Sequence, residues 1–494
     1  SGEFIINRYS VALRISIKEA RLSRCVGALV IWFVAHLSTP TASLAVDLDA
    51  GNPTFTLTDS IQHARQHNLQ IKTLIDKLVL TKKLLRSARP VGLPQVSLNS
   101  NYTYAKDLPK SIIDFGENSP FAQMRGTAFP PEQTPPPTRE DDDDESNITE
   151  LEFGAHHTFQ GGLSLVQPLF AWGRYYYTYQ SATLAVAAGK AELDAAYNQL
   201  GLDVASAFYR LLLSMEFVEV AKQTVDLAQQ QLKTSDNLLK SGVSTNFDVI
   251  RAQVQVANAQ STYIRSKNGV KLAKNAFQHM LNLDLATDIE INGQFRRQPV
   301  ELTLDELINL ALNHRPDLQQ LDLLKKSAQK QVQVTQANTR PNLSFLANYR
   351  IDDNEKLVEM NKIWNVGLSL NFPIFDGLVT YYRVQEAKSR VNQLALQRSQ
   401  LKNGIEQEVR AAYLQILESQ TLTEVQKETV DQAKEGVRLA NLQYKNGLIT
   451  SVQLTDAQLA LTQAEVNRLQ AQHDYSIALA RLEKAIGQPP SSLE

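Results

Sequence analysis

The chain has 494 residues, and its 50 lysine and arginine side chains nearly balance 52 aspartate and glutamate side chains. Proteins that bind nucleic acid concentrate positive charge, so this balance argues against nucleic acid as the main partner. Length alone predicts about three domains, but that prior fails for a chain built from internal repeats.

The N-terminal segment has the three parts of a secretory signal. Five basic residues between Arg8 and Arg24 precede an apolar run at 26–37, and Ser43–Ala45 is a small-x-small cleavage site. We expect a signal peptide at 1–45, because the apolar run is too short to span a membrane comfortably. A buried N-terminal helix is the alternative. The only cysteine, Cys25, lies in this segment, so we expect neither disulfides nor a lipid anchor in the mature chain.

The rest of the chain repeats itself at two offsets. Residues 57–67 match 304–314 at an offset of 247, and Gly162–Leu165 matches Gly367–Leu370 at an offset of 205. The difference places 42 extra residues in the first half, between its two strands. Each half is predicted to run helix, strand, strand, long helix, helix.

This plan divides the chain into segments with predicted boundaries. They are a signal peptide at 1–45, a helical segment at 46–93, a β-hairpin at 94–169 with a long loop at 105–157, helices with a first tip at 170–283, a linker at 284–303, a helical segment at 304–340, a second hairpin at 341–374, helices with a second tip at 375–487, and a tail at 488–494. The loop is rich in proline and acidic residues, which favours a mobile, solvated loop at the outer face. Cation binding by its acidic run at 140–145 is the alternative, and the sequon Asn147–Thr149 is interpreted as accidental.

Four segments alternate polar and apolar residues with the period of a β-strand. They begin near Gln95, Thr158, Asn342 and Trp364, and aromatic residues gather near their ends. Each is about nine to eleven residues long, enough for a tilted strand to cross a bilayer. Sheet edges cannot face lipid, and a membrane barrel needs about eight strands, so four strands predict a barrel shared between several copies. An ordinary antiparallel sheet in a soluble protein is the alternative.

The helical segments predict the length of the part of the molecule outside the sheet. Two stretches, at 175–241 and 379–446, contain no proline. As continuous helices each would be about 100 Å long, which is typical of coiled-coil-like assemblies. Shorter helices are predicted at 58–87, 245–282, 304–336 and 450–486. Stacked end to end in pairs, the shorter helices match the long ones, so four helical columns per chain accompany the four strands.

Together these features resemble the TolC family of outer-membrane efflux and secretion channels, over essentially the whole mature chain. The specific marks are the duplicated plan, the Pro-Leu-Phe and Pro-Ile-Phe junctions at 168 and 373, and the helix tips at 240–248 and 444–456. The resemblance implies a mainly α fold with a membrane β-sheet, assembled as a homotrimeric channel-tunnel. Three chains would complete a 12-stranded barrel in outer-membrane lipid. Their long antiparallel helices would form a periplasmic α-barrel with the linker as a belt.

The resemblance also implies a function. Members of the family are passive exit ducts for drugs, other small molecules or unfolded proteins. They dock with a periplasmic membrane-fusion adaptor and with an inner-membrane pump of the ABC, RND or MFS type, which supplies the energy. The chain is therefore expected to be no enzyme and to need no cofactor.

The helix tips carry the residues that the resemblance assigns to docking and closure. Residues at the turns, Gly242, Val243, Gly447 and Leu448, lie where the adaptor would dock. Asp248 and Tyr444 match an acidic residue and a tyrosine that help to hold the periplasmic aperture shut. Asp456 matches one aspartate of a pair that lines the aperture, while Gln453 stands in the other place and Ile449 replaces an arginine that links the coils. These departures imply a weaker negative ring, and a solvated helix position is the alternative for Asp456.

Enzymatic and metal sites have little support. His63 and His67 have the i,i+4 spacing of a helical metal pair, but no third ligand accompanies them, so surface histidines are the preferred interpretation. No nucleophile motif, phosphate loop or cofactor fingerprint stands out. Two other classes remain open: a structural or adhesive trimer without transport, and a periplasmic adaptor, which would lack the four alternating strands.

Overall fold

The protein is described by a computed structural model that covers residues 54–89, 92–108, 110–114, 148–152, 156–297, 300–353 and 361–489. The predicted signal peptide, the acidic run and most of the C-terminal tail lie outside the described residues. Among the described residues, no helix has an apolar stretch long enough to cross a membrane.

The order of elements follows the duplicated plan. The strands are β1 (Thr54–Phe55), β2 (Gln95–Tyr104), β3 (Lys110–Asp114), β4 (Ile148–Glu152), β5 (His157–Phe170), β6 (Glu290–Ile291), β7 (Asn342–Asp353) and β8 (Asn361–Asn371). The helices are α1 (Leu57–His67), α2 (Leu69–Ala88), α3 (Arg174–Lys240), α4 (Asn246–Leu281), α5 (Leu304–His314), α6 (Pro316–Ala337), α7 (Val379–Lys445) and α8 (Ser451–Ala485). The four predicted strands and both long helices are therefore confirmed.

The main sheet has four antiparallel strands in the order β2-β5-β7-β8. Its register sets Leu98 opposite Leu163, Leu163 opposite Tyr349, and Tyr349 opposite Trp364, so one row of apolar side chains crosses one face. The next row on the other face joins Ser97, Ser164, Asn348 and Asn365 in the same way. The apolar face is open: Leu98 is 75% and Trp364 is 72% exposed. Within the described residues, β2 and β8 each pair on one side only, which leaves both outer edges without a partner.

The loop predicted at 105–157 contains a feature that the sequence reasoning missed. Residues 110–114 and 148–152 pair as the antiparallel hairpin β3-β4. Both segments contain isoleucine beside polar residues, a composition that suits a strand. The proline-rich and acidic stretch between them dominated the composition on which the loop prediction was based.

Two predicted helices, at 58–87 and 304–336, are each divided in two, so these predictions were wrong in the same way. The first breaks at Asn68, whose extended backbone ends α1 and whose side chain accepts hydrogen bonds from the first turn of α2. The second breaks at Arg315, because Pro316 disfavours a helical conformation in the residue before it and then begins α6.

Each long helix packs against shorter ones. Helix α3 contacts α4, α2 and α6, while α7 contacts α8, α6 and α5. The repeat persists in the local geometry: threonine is the N-cap of α1, α4, α5 and α8, at Thr56, Thr245, Thr303 and Thr450. These caps recur at the two sequence offsets, so the two halves share one architecture and the prediction of a duplicated plan is confirmed.

A large part of the apolar core lies where α1, the end of α4 and the linker pack against the middle of α3. Phe208 and Phe277 are fully buried there, and β1 pairs with β6 of the linker in parallel. Gly293 of the linker lies so close to Phe208 that an added Cβ would come within 2.7 Å of the ring. A bidentate ion pair between Arg296 and Glu483, which is 0% exposed, fixes the linker to α8. The linker is therefore fixed to the helices at these points.

Candidate functional site at the helix tips

The two tips are formed by turns of the same geometry. Gly242 ends α3 with φ 75°, and Gly447 ends α7 with φ 71°. The amide after each glycine reaches back to the third-last helical carbonyl: Val243 N–H donates to Leu238 at 2.9 Å, and Leu448 N–H donates to Gln443 at 2.9 Å. This is the Schellman pattern, in which a left-handed residue closes a helix, and glycine adopts it without steric cost. The predicted helix ends at both glycines are confirmed.

The tips present apolar side chains to solvent. Val243 is 62% exposed, Phe247 70% and Leu448 73%. The two turns lie beside each other, since a Cβ added to Gly447 would lie 3.5 Å from a Val243 methyl group. One protomer therefore presents one combined apolar surface formed by both turns.

The helices that leave the turns begin with capping boxes. Thr245 and Asp248 cap α4 reciprocally, and Thr450 and Gln453 cap α8 in the same way. The Gln453 side chain accepts a hydrogen bond from the Thr450 amide at 2.9 Å, so its carbonyl oxygen serves the cap. Each box satisfies N–H groups that a helix start would otherwise leave unpaired.

Asp248 has a second role besides capping. One carboxylate oxygen accepts hydrogen bonds from Thr245 and Ser244 of its own tip, while the other accepts one from the Ser451 hydroxyl at 2.7 Å. Ser451 is the first residue of α8, so this bond joins the two tips. The Ser451 hydrogen bond, followed by those from Thr245 and Ser244, holds the pKa of the Asp248 carboxyl below its ordinary value.

Tyr444 makes a parallel connection in the interior of the tip. It is buried, and its phenol shares a hydrogen bond of 2.8 Å with the fully buried Ser235 hydroxyl. Ser235 belongs to α3, so this bond ties α7 to α3. Farther along, Gln231 of α3 donates to the Thr455 hydroxyl of α8 at 3.1 Å. The α3/α4 pair and the α7/α8 pair are thus linked by a ladder of polar bonds, beginning at the tips.

The predicted aperture residues lie near the two tips, but among the described residues no hydrogen bond or ion pair joins any two of them. Asp248 and Tyr444 each bond to a serine of the other helical pair, and neither Ser451 nor Ser235 was singled out by the sequence. Asp456 is exposed on α8, and no hydrogen bond or ion pair to it is present within the described part of the chain. It therefore remains free to present its charge to solvent.

The predicted histidine pair lies on α1. The rings of His63 and His67 stack with centroids 4.1 Å apart. Burial, and secondarily the charge of His67, lowers the pKa of His63. Within the described ranges, no three histidine, cysteine, aspartate or glutamate side chains are grouped so that they could hold a metal ion.

Comparisons with known proteins agree with this architecture. The chain matches the family model for outer membrane efflux proteins at residues 136–283 and 307–488. It is 23% identical over 329 residues to alkaline protease secretion protein AprF of Pseudomonas aeruginosa, covering 65% of this chain and 68% of that protein. It is 22% identical over 381 residues to outer membrane protein TolC of Escherichia coli, covering 69% of this chain and 74% of that protein.

A solved structure supports the same assignment of the fold. Outer membrane protein VceC of Vibrio cholerae superposes with a TM-score of 0.70 at 18% identity, over 87% of this chain and 96% of that one. The resemblance to the TolC family and the channel-tunnel fold are both confirmed. Since the family model matches more than half of the sequence, in both of its repeats, the chain belongs to the outer membrane efflux protein family.

Proposed function

We propose that three copies of this chain form a passive outer-membrane exit duct. An inner-membrane pump would load the duct through a periplasmic adaptor. The observation that carries the proposal is the four-stranded sheet, which has an exposed apolar face, a polar face and two outer edges that no other described strand pairs with. Backbone groups at such edges would be unsatisfied in lipid, so the edges need partners. Pairing β2 of one copy with β8 of the next closes a ring without a free edge.

The polar face of the sheet suits the wall of a water-filled passage. Serine, asparagine, glutamine and threonine dominate it, and Arg350 and Asp352 are its charged residues among the described ones. They pair at 2.7 Å, so they largely cancel each other's field. A neutral polar wall offers neither a strong binding site nor a strong charge barrier, as expected for a duct that passes varied cargo.

We propose that the tips control the inner end of the duct. The Ser451–Asp248 and Ser235–Tyr444 bonds hold the two helical pairs of one protomer together, and opening of the aperture breaks them. Asp456 adds one negative charge per copy beside Gln453, and three copies would form a weak cation-attracting ring. Val243 and Leu448 are apolar and exposed, and the turns at Gly242 and Gly447 hold them in place. We therefore propose these residues as the docking surface for an adaptor.

Planar-bilayer recording tests the proposal directly. The purified full chain should form pores, with a small conductance while the tip bonds hold and a larger one in a Ser451→Ala variant. A structural or adhesive trimer would give no pores in either form. Complementing a strain that lacks the chain, with export of a dye and of a secreted protein measured side by side, then separates small-molecule efflux from protein secretion.

A further inference from the structure

A basic pocket lies between the linker and the α7/α8 pair, far along these helices from their tips. Its volume is about 370 Å³, and its wall combines residues from three elements. The linker contributes Arg296 and Arg297, α7 contributes Lys427, and α8 contributes Arg468. Nothing in the proposed transport function uses these residues.

The charge of this pocket is not balanced. Arg296 is neutralised by Glu483 through both carboxylate oxygens at 3.0 Å. The three other cations have only Glu424 as a carboxylate in the described lining. Four cations against the two carboxylates Glu424 and Glu483 leave the pocket with a formal charge of +2. Glu465, one helical turn from Arg468, is bound to a lysine outside the lining, Lys434, at 3.8 Å.

Apart from Arg296, the cations of the pocket lack partners among the described residues. Within the described part of the chain, no hydrogen bond or ion pair to Arg297, Lys427 or Arg468 is present. Lys427 and Arg297 are exposed, and each alone would be an ordinary solvated side chain. Arg468 differs, because its Nε is shut off from solvent without any hydrogen-bond partner. The terminal nitrogens of Arg468 are not buried in this way, and they are the groups that an anion in the pocket can reach.

Tyr475 and three neutral donors complete the lining. Gln472 lies one turn from Arg468 on α8, and Thr423 and Gln420 face them from α7. The pocket thus offers a guanidinium fork, further cations and amide or hydroxyl groups around one space. Planar guanidinium groups bind carboxylate and phosphate oxygens in pairs, which fits this arrangement.

We propose that this pocket binds a small, multiply charged oxyanion carrying phosphate or carboxylate groups. The anion accepts from the terminal guanidinium N–H groups of Arg468 and lies between the cations of the linker, α7 and α8. Bound there, it removes the repulsion between these cations and ties the linker to the helices. Anion binding at this pocket is measured separately from conductance, so it can be present or absent whether or not the chain forms a duct.

Isothermal titration calorimetry on the detergent-solubilised full chain tests the site, with inorganic phosphate, pyrophosphate and citrate as probes at low ionic strength. At least one probe should bind and should also raise the unfolding temperature. Binding of phosphates alone assigns the site to phosphate groups, and binding of citrate alone assigns it to carboxylates; either result supports the proposal. Failure of all three probes to bind would overturn it.

Matched variants separate this pocket from the general surface charge. Arg468→Gln should weaken binding by about tenfold or more, because it removes a charged hydrogen-bond donor. Lys427→Gln, a change at an exposed position, gives a second test if the first variant does not fold. Lys271→Gln removes the same charge from an exposed site on α4 and should leave the affinity unchanged. Equal weakening in all three variants would mean non-specific attraction and would refute the site.

Discussion

Removing the Ser451 hydroxyl should loosen the tips without disturbing the helices that form them. Ser451→Ala deletes the hydrogen bond of 2.7 Å to Asp248, which joins α8 to the start of α4. The capping box of Asp248 with Thr245 remains, because it uses the other carboxylate oxygen. The substitution therefore removes a link between two tips and leaves the cap of each helix intact.

The size of the effect follows from the exposure of the bond. A hydrogen bond to a charged group contributes about 1.5–3 kcal/mol when buried, and the half-buried position of Asp248 reduces this to about 1 kcal/mol. If the three protomers of the duct open together, the loss is about 3 kcal/mol. The ratio of open to closed channels should then rise about 100-fold.

Single-channel recording in planar bilayers measures that ratio as the fraction of time spent in the larger conductance. Ser244→Ala is the matched control, because it removes a bond of 3.0 Å to the same carboxylate from within one tip. The control should leave the open fraction nearly unchanged. Equal open fractions in the two variants would refute the reasoning, since the bond between tips would then have no special role.

The same bond predicts a dependence on pH. Its acceptor is the charged carboxylate, and the pKa of Asp248 is lowered by the Ser451 hydrogen bond first and by its own cap next. The stabilisation is therefore complete above the ordinary aspartate pKa of about 4 and is lost as pH falls through the lowered value. Channels of the unchanged chain should open only when the pH falls below about 4. Channels of the Ser451→Ala variant should begin to open at a higher pH than those of the unchanged chain. Opening between pH 5 and 8 would indicate another titrating group.

Three further changes probe other parts of the molecule. Asp456→Asn should reduce block of the conductance by divalent cations, and unchanged block would remove Asp456 from the aperture ring. Gly293→Ala should lower the free energy of unfolding by about 1–3 kcal/mol in a thermal melt, because the added Cβ would lie 2.7 Å from Phe208. Gly404→Ala is its control: the added Cβ would meet nothing within 4 Å, and alanine favours the helix interior, so this change should not destabilise. Glu483→Gln should destabilise by about 3–5 kcal/mol, since the arginine that it pairs with would keep a buried charge without its counter-ion, and a melt shift of a few tenths of a degree would contradict this.

Much of the fold could be predicted because its signals are local and repeated. Alternation with period two places residues such as Leu98 and Trp364 on one face of a sheet, whatever the partner strands are. The absence of proline from 175–241 predicts one unbroken helix. Agreement between the two halves adds a check that a single segment cannot supply, as the threonine caps at equivalent positions illustrate.

The breaks in the shorter helices show where local signals were outweighed. Pro316 follows Arg315 in the sequence and is a known boundary signal, but the apolar periodicity continues on both sides of it. Asn68 is a weaker signal, because asparagine also occurs inside helices. Each break depends on one residue, whereas the prediction of a continuous helix depended on many.

The contacts of the tips could not be predicted, because they depend on how two helical pairs are aligned. Serine is common on helix surfaces, and nothing near Ser235 or Ser451 marks either as a partner of a tyrosine or an aspartate. Their roles arise only when the α3/α4 pair and the α7/α8 pair lie against each other at one particular register. The basic pocket is likewise formed by three elements that are distant in sequence.

The central claim is that four strands per chain become a closed wall only when copies share them. Native mass spectrometry of the detergent-solubilised full chain measures the number of copies in the particle that conducts. We expect three chains per particle, so that every β2 edge is paired with a β8 edge. A conducting particle that contains a single chain would contradict it.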